Sequence, residues 1–307
     1  GMVMKLPEYS SFKAKKEFFS NYERINTIND FKNKVLKLKE DEKLIYRGMP
    51  EAKWQLFTSA QREYLCGDYK TLGIEFSDFI QSILSNIKES TIITKYLQSI
   101  NLSPNDIFYL SLLQHYGAPS PLLDFTKDFE TALYFAINGD SSIDKWKHEI
   151  DDFFSIYYFE KDERFYANYN LQDSSCKSFK KAEKFELKER ISSLPNDCVL
   201  WEKMKNINFV ILDDIEALKD KPGYFYWPNL NLIAQNGCFI MYTKEPQPLE
   251  QLLKEIHFMV PFHCFDIHKS LIETIRTHYC MRTKEDLFPT MDKECAKAYN
   301  QFKQNLK

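Results

Sequence analysis

The stretch "LLQHYGAPSPLLDFTKDFETALYFAING", residues 112–139, carries the end of one helix, an extended segment and a second helix. The first helix begins at Pro104, whose fixed φ suits a first helical turn, and stops at Gly117. Pro119 and Pro121 push the residues before them out of helical space, so "APSPLLDFT" is extended. Apolar residues at helical spacing resume in "KDFETALYFAING" (127–139), which closes at Gly139. The polar residues fall at the junctions: Gln114, His115 and Tyr116 end one helix, and Asp124 and Thr126 precede the next. That placement predicts a polar pocket between a sheet and helices.

Towards the N-terminus, "KLIYRG" (43–48) is a short apolar run ended by glycine and is predicted as a strand. Residues 71–101 are predicted helical, with Phe76, Ile80, Ile83, Leu84 and Ile87 on one stripe. The first forty residues are predicted as an amphipathic helical extension. Towards the C-terminus, 152–160, 208–214 and 237–243 are predicted strands, and 178–191 is a charged amphipathic helix. The segment 261–280 predicts a strand followed by a helix, and a last helix closes the chain. Strands and helices mix without a β-α-β rhythm, which favours an α+β fold: a mixed, mainly antiparallel central sheet with helical insertions. No repeat or low-complexity linker divides the chain. The expected organisation is an extension over 1–40 and one domain over 41–307, with helical insertions at 71–101 and 161–205.

Composition narrows the function classes. The 307 residues are 44% hydrophobic and include 25 Phe, 18 Tyr and 4 Trp, enough apolar area for a sizeable core. A formal charge of -3 exerts no global pull on nucleic acid or an anionic membrane. No run of 18 apolar residues occurs, and the opening "MVMKLPEYSSFKAKK" lacks a secretory apolar stretch. Gly1 before Met2 reads as a cloning remnant. Seven scattered cysteines with no C-x-x-C pair fit reduced thiols, so a cytoplasmic location and no structural metal are expected.

Standard catalytic signatures are missing, which leaves individual polar residues. Arg47 ends an apolar strand after Tyr46; its planar fork suits either a core carboxylate or a ligand phosphate. Arg62, in "WQLFTSAQR" (54–62), is either a second cation on the same side or a solvated helix residue. Thr126 is placed as an N-cap of the following helix, whose free N–H groups could also hold an anion. Asp124, Asp128 and Glu130 could hold a divalent ion with His115 as base, as in a nuclease, or simply complement the helix dipole. His257, His263 and His268 have no ligand spacing and read as ordinary histidines.

"YRG" (46–48), Trp54-x-Leu56-x-x-Ser59-x-x-Arg62 and "LLQHYGAPSPLLDFT…ALYFA" together resemble the FRG-domain family, named for its (F/Y)-R-G motif. "NLIAQNGCFIMY" (231–242) and "IRTHYCMRTKEDLFPTMD" (275–292) are similar to later blocks of that family. Two positions depart from it: Ser120-Pro121 stands where the family reads Thr-Arg, and Tyr279-Cys280 replaces a pair containing glycine. The family is found among prokaryotic proteins linked to phage defence, which implies such a role here. A more distant resemblance is to ADP-ribosyltransferases of the Arg-Ser-Glu type, from the order of Arg47, "LLDFTKDFETALYFA" and "AQNGCFIMY". It implies a fold of that type and a nucleotide-like ligand, with NAD as substrate for ADP-ribosyl transfer or cleavage. Arg47, Asp124, Thr126 and Gln235 would then form the catalytic set, with Tyr46, Arg62, Gln114, His115 and Tyr116 binding ligand. Gln235 occupies the position of the Glu and brings no negative charge. Transfer would then be weak or would recruit Asp124 or Glu130, and a non-catalytic ligand- or partner-binding module is the alternative.

Overall fold

The computed structural model describes residues 5–102, 104–140, 147–161, 201, 209–213, 229–242, 246–255 and 261–307. Seven strands form one mixed sheet: β1 (Asn21–Ile25), β2 (Leu44–Met49), β3 (Leu122–Thr126), β4 (Phe153–Glu160), β5 (Val210–Leu212), β6 (Gly237–Met241) and β7 (Phe262–His268). Their order is β1-β7-β4-β2-β3-β6-β5. Only β1 and β7 run parallel; the other five pairings are antiparallel. The α+β class and the mainly antiparallel sheet are as the sequence predicts.

Strand β4 lies inside the sheet between β7 and β2, and every residue from Phe153 to Phe159 is buried. A run this long that is apolar but for Ser155, bounded by charged residues, is what a strand covered on both faces requires. Alternation sends Ile45, Leu123, Phe125, Tyr157, Phe159, Ile240 and Cys264 to one face. There they pack with Phe19, Leu56 and helix α9 (Leu249–Glu255). The other face places Leu44, Tyr46, Phe154, Ile156, Tyr158 and Phe265 against α2 (Ile28–Leu38), α7 (Phe129–Asn138) and α10 (Ile272–His278). Each fully buried Phe or Ile contributes about 1.5–3 kcal/mol by leaving water.

A third apolar cluster joins helices to the β3-β6-β5 end of the sheet. It combines α3 (Ser59–Cys66), α4 (Phe76–Lys88), α5 (Thr91–Ser99) and α6 (Asp106–His115) with Leu122, Val210 and Phe239. Helix α6 is buried from Asp106 to Leu113, so it lacks the polar face of a surface helix. The predicted insertion at 71–101 is therefore two helices, and its start, 71–75, is non-helical. Of the second expected insertion, 161–205, only Lys161 and Trp201 are described, and the predicted helix at 178–191 lies outside the described residues.

The first forty residues keep the expected helix only in part. They form α1 (Phe12–Lys16), strand β1 and α2, and β1 completes the edge of the sheet beside β7. Strand β1 reads "NYERI", with only Ile25 fully buried, so its periodicity carries no strand signal. Pairing with β7 decides its conformation. Beneath this region Lys15 is wholly buried, and its ammonium donates to Asp266, Ser155 and the Ala52 carbonyl, each at 2.8 Å. The remaining elements are α8 (Leu230–Ala234), α11 (Lys284–Leu287) and α12 (Met291–Asn305). Among the described residues, no helix is long and apolar enough to cross a membrane.

Candidate functional site

Strand β2 pairs with β4 at six successive positions but with β3 at one, Tyr46 opposite Thr126. Beyond that pair the two strands part, and a cavity of about 820 Å³ opens where they separate. Arg47 and Met49 border it from β2, Asp124 and Phe125 from β3, and Gln235 from the turn before β6. Trp54, Gln55 and Phe57 form a second wall, continued by Arg62 and Cys66 of α3.

The Arg-Gly pair of β2 explains how helix and cavity coexist. A Cβ on Gly48 would stand 1.9 Å from the Ala132 carbonyl oxygen and 2.9 Å from the Ala136 nitrogen. Glycine is therefore required for the close approach of α7, which presents small Ala132 and Ala136 to the strand. Arg47, one residue earlier, projects to the opposite side. One dipeptide thus seats the helix and aims the cation.

Arg47 donates through Nη1 to the main-chain carbonyl of Asp124 at 2.8 Å. Its Nε is buried with no hydrogen-bond partner among the described residues. Burial lowers the guanidinium's pKa; Asp124 opposes that effect and neighbouring Arg62 adds to it. Arg62 donates to the Phe57 carbonyl at 2.8 Å and is likewise lowered by burial. Two cations thus share one cavity, and each donates through Nη1 to a main-chain carbonyl rather than to a carboxylate.

The Asp124 carboxylate opens to solvent inside the concavity but is crowded by protein. Crowding pushes its pKa up, offset in part by Arg47 and by a 3.3 Å hydrogen bond from Gln114. His115 moves the other way, lowered by burial and partly restored by Asp124. The two shifts move each group towards its neutral form. Helix α6 supplies Gln114 and His115, which stand behind Asp124 and outside the cavity lining. Tyr116 is 71% exposed and packs edge-on to His115.

Thr126 is not the N-cap that its position suggests. Asp128 caps α7, its carboxylate accepting from the Thr131 N–H. The Thr126 hydroxyl donates to the Gln235 carbonyl at 2.6 Å and accepts from the Asp128 N–H at 3.0 Å. Gln235 in turn donates through Nε2 to the Leu287 carbonyl at 2.9 Å, and Phe288 packs edge-on to Phe135 in the cavity wall. The closing "LFP" segment is thus tied to both sides of the cavity. Tyr46 borders the cavity while its ring packs on Phe129 at 5.5 Å, and burial raises its hydroxyl pKa to about 12.

The three acids considered for a metal do not converge. Asp128 caps α7 and pairs with Arg282 at 3.0 Å, and Glu130 accepts from the Met281 N–H. Among the described residues no group of three His, Cys, Asp or Glu side chains could hold a metal ion. The recruitment of Glu130 to the pocket is likewise not seen, since its carboxylate faces the 281 turn. The departing pair Ser120-Pro121 is buried outside the lining, with Ser120 bonded to Ser59.

The chain around this cavity, residues 42–145, matches the family model described as FRG domain. The chain carries an FRG domain. The matched segment supplies Arg47, Gly48, Arg62, Asp124 and Thr126, whereas Gln235 comes from beyond it. No curated protein and no solved structure matches the chain.

Sequence reasoning missed two contributors to the FRG-domain cavity. Gln55 and Phe57 lie between recognised motif positions, and Trp54 is a motif residue whose aromatic character alone does not separate wall from core. Lys5, Leu6, Pro7 and Glu8 reach the cavity because Glu8 bridges to Trp54 and Tyr9 donates to the Lys53 carbonyl. Buried Glu250 fixes that wall from below, accepting from the Tyr9 hydroxyl at 2.8 Å and the Leu56 N–H at 3.1 Å. No local signal foretells contacts across such sequence separations.

Proposed function

We propose that the FRG-domain cavity binds a nucleotide-like ligand, its phosphates against Arg47 and Arg62 and a ring against the aromatic wall. The observation that carries this reading is Arg47, buried at Nε without a partner among the described residues and lining, with Arg62, a cavity bordered by Trp54, Phe57 and Phe135. A guanidinium fork suits phosphate oxygens, and the volume falls within the ~300–1,000 Å³ of small-molecule sites. NAD is the leading candidate, from the resemblance to ADP-ribosyltransferases.

Thermal melts with NAD, ADP-ribose and pyrophosphate test the proposal. A ligand at about a hundred times its Kd stabilises by about 2.7 kcal/mol. At about 2–4 °C per kcal/mol the melt should rise several degrees. Arg47→Ala should abolish the rise. No shift with any of the three probes would overturn the reading, and a shift with pyrophosphate alone would reduce it to an anion site.

A second reading, transfer or cleavage of NAD, draws on Asp124. A carboxylate in the cavity wall, beside Arg47, is placed to face positive charge developing on a ribose. Nicotinamide release that disappears in Asp124→Asn while the thermal shift survives would support it. The family's association with phage defence would be read as plating efficiency on cells expressing the wild type or Arg47→Ala.

A further inference from the structure

Helix α12 (Met291–Asn305) has no buried residue. Six apolar side chains nevertheless share one side: Met291, Cys295, Ala298, Tyr299, Phe302 and the capping Leu306 fall within an arc of about 100° at 3.6 residues per turn, and only the small Ala296 lies off it. Met291 is 69% exposed, Tyr299 61%, Phe302 56% and Leu306 70%, so the stripe is open to water. A solvated helix face gains nothing from such alignment.

The stripe is its own antiparallel complement. Its spacing reads the same from either end, and a reversed second copy sets Met291 on Leu306, Cys295 on Phe302 and Ala298 on Tyr299. The two inner pairs each match a small side chain with an aromatic one, the combination that fills space between helices. Charge agrees: Asp292 and Glu294 outnumber Lys293 in the first turn, and Lys303 lies in the last. Antiparallel packing therefore brings the acidic end of each helix to the basic end of the other, and parallel packing would oppose like ends.

We propose that α12 is a self-association surface through which two copies of this chain pair antiparallel. The contact is isologous, each residue meeting the partner position that meets it in return. A helix of 15 residues is about 22 Å long. That is short for the ~800 Å² per partner of a standard interface, so the dimer dissociates on dilution.

Sedimentation of the full chain across concentration tests the proposal. The expected result is a monomer–dimer equilibrium whose dimer disappears in Phe302→Asp, with the melting temperature unchanged because Phe302 packs in no core cluster. A monomer at every concentration up to about 1 mM, or a dimer that survives Phe302→Asp, would overturn it. Register is read by oxidation: Phe302→Cys should cross-link to Cys295 of the second copy, and adding Cys295→Ser should abolish the link. Cross-linking of the wild type through Cys295 alone would mean parallel helices and would equally overturn the proposal.

Discussion

The guanidinium of Arg47 is bonded to the main-chain carbonyl of Asp124 at 2.8 Å, while the Asp124 carboxylate accepts from Gln114. The carbonyl bond ties β2 to β3 at the point where their ladder ends. It also leaves the Asp124 carboxylate outside any direct ion pair with Arg47.

Gly48→Ala should unseat α7. The added Cβ meets backbone atoms of Ala132 and Ala136, which cannot rotate away as a flexible side chain would. Overpacking of this kind costs about 1–3 kcal/mol, or more where backbone must move. The expected outcome is a melt lowered by several degrees and weakened ligand binding, because α7 forms part of the cavity wall. An unchanged melt would mean that the helix and strand are not in contact at this point.

Asp124→Asn should reveal the cost of crowding this carboxylate as a pH dependence. The folded-state pKa lies above the ordinary value of 3.8. The folded protein therefore keeps this proton as pH rises while the unfolded chain loses it, and stability falls through that window before levelling off. The asparagine variant does not titrate, so its stability relative to wild type should rise as pH rises above the ordinary carboxylate value, read by urea unfolding. A relative fall over that range would show that attraction to Arg47 outweighs burial.

Lys15→Met should strand Asp266, which is fully buried beside it. Removing one member of a buried pair costs about 3–5 kcal/mol because the remaining charge is uncompensated. Adding Asp266→Asn should recover part of that loss, measured by urea unfolding of both variants. Equal stability of the single and double variants would contradict the pairing.

Gln235→Glu separates a structural amide from a vacant catalytic position. Its Nε2 donates to the Leu287 carbonyl, and a carboxylate there loses the donor and faces the carbonyl dipole. The expected outcome is about 1–3 kcal/mol of lost stability with no faster release of nicotinamide from NAD. A folded variant releasing nicotinamide about 10²–10³ times faster would instead place Gln235 where a catalytic glutamate acts.

The sequence by itself determined those features whose causes are local. The strand at 44–49, the helix at 129–138 and the polar residues at the junction follow from apolar periodicity, proline and glycine. The motif resemblance identified Arg47 and Asp124 because their surroundings are specific over many residues. Tertiary structure alone decided the cap of α7, where the Asp128 carboxylate reaches the Thr131 N–H and leaves Thr126 to bond Gln235. It also decided that "NYERI" becomes an edge strand, since only pairing with β7 satisfies its backbone. His115 stands behind Asp124 because α6 is buried against the sheet, and the N-terminal segment joins the cavity through its bridge to Trp54. These outcomes depend on hydrogen bonds and packing between residues far apart in the chain, which periodicity and spacing do not encode.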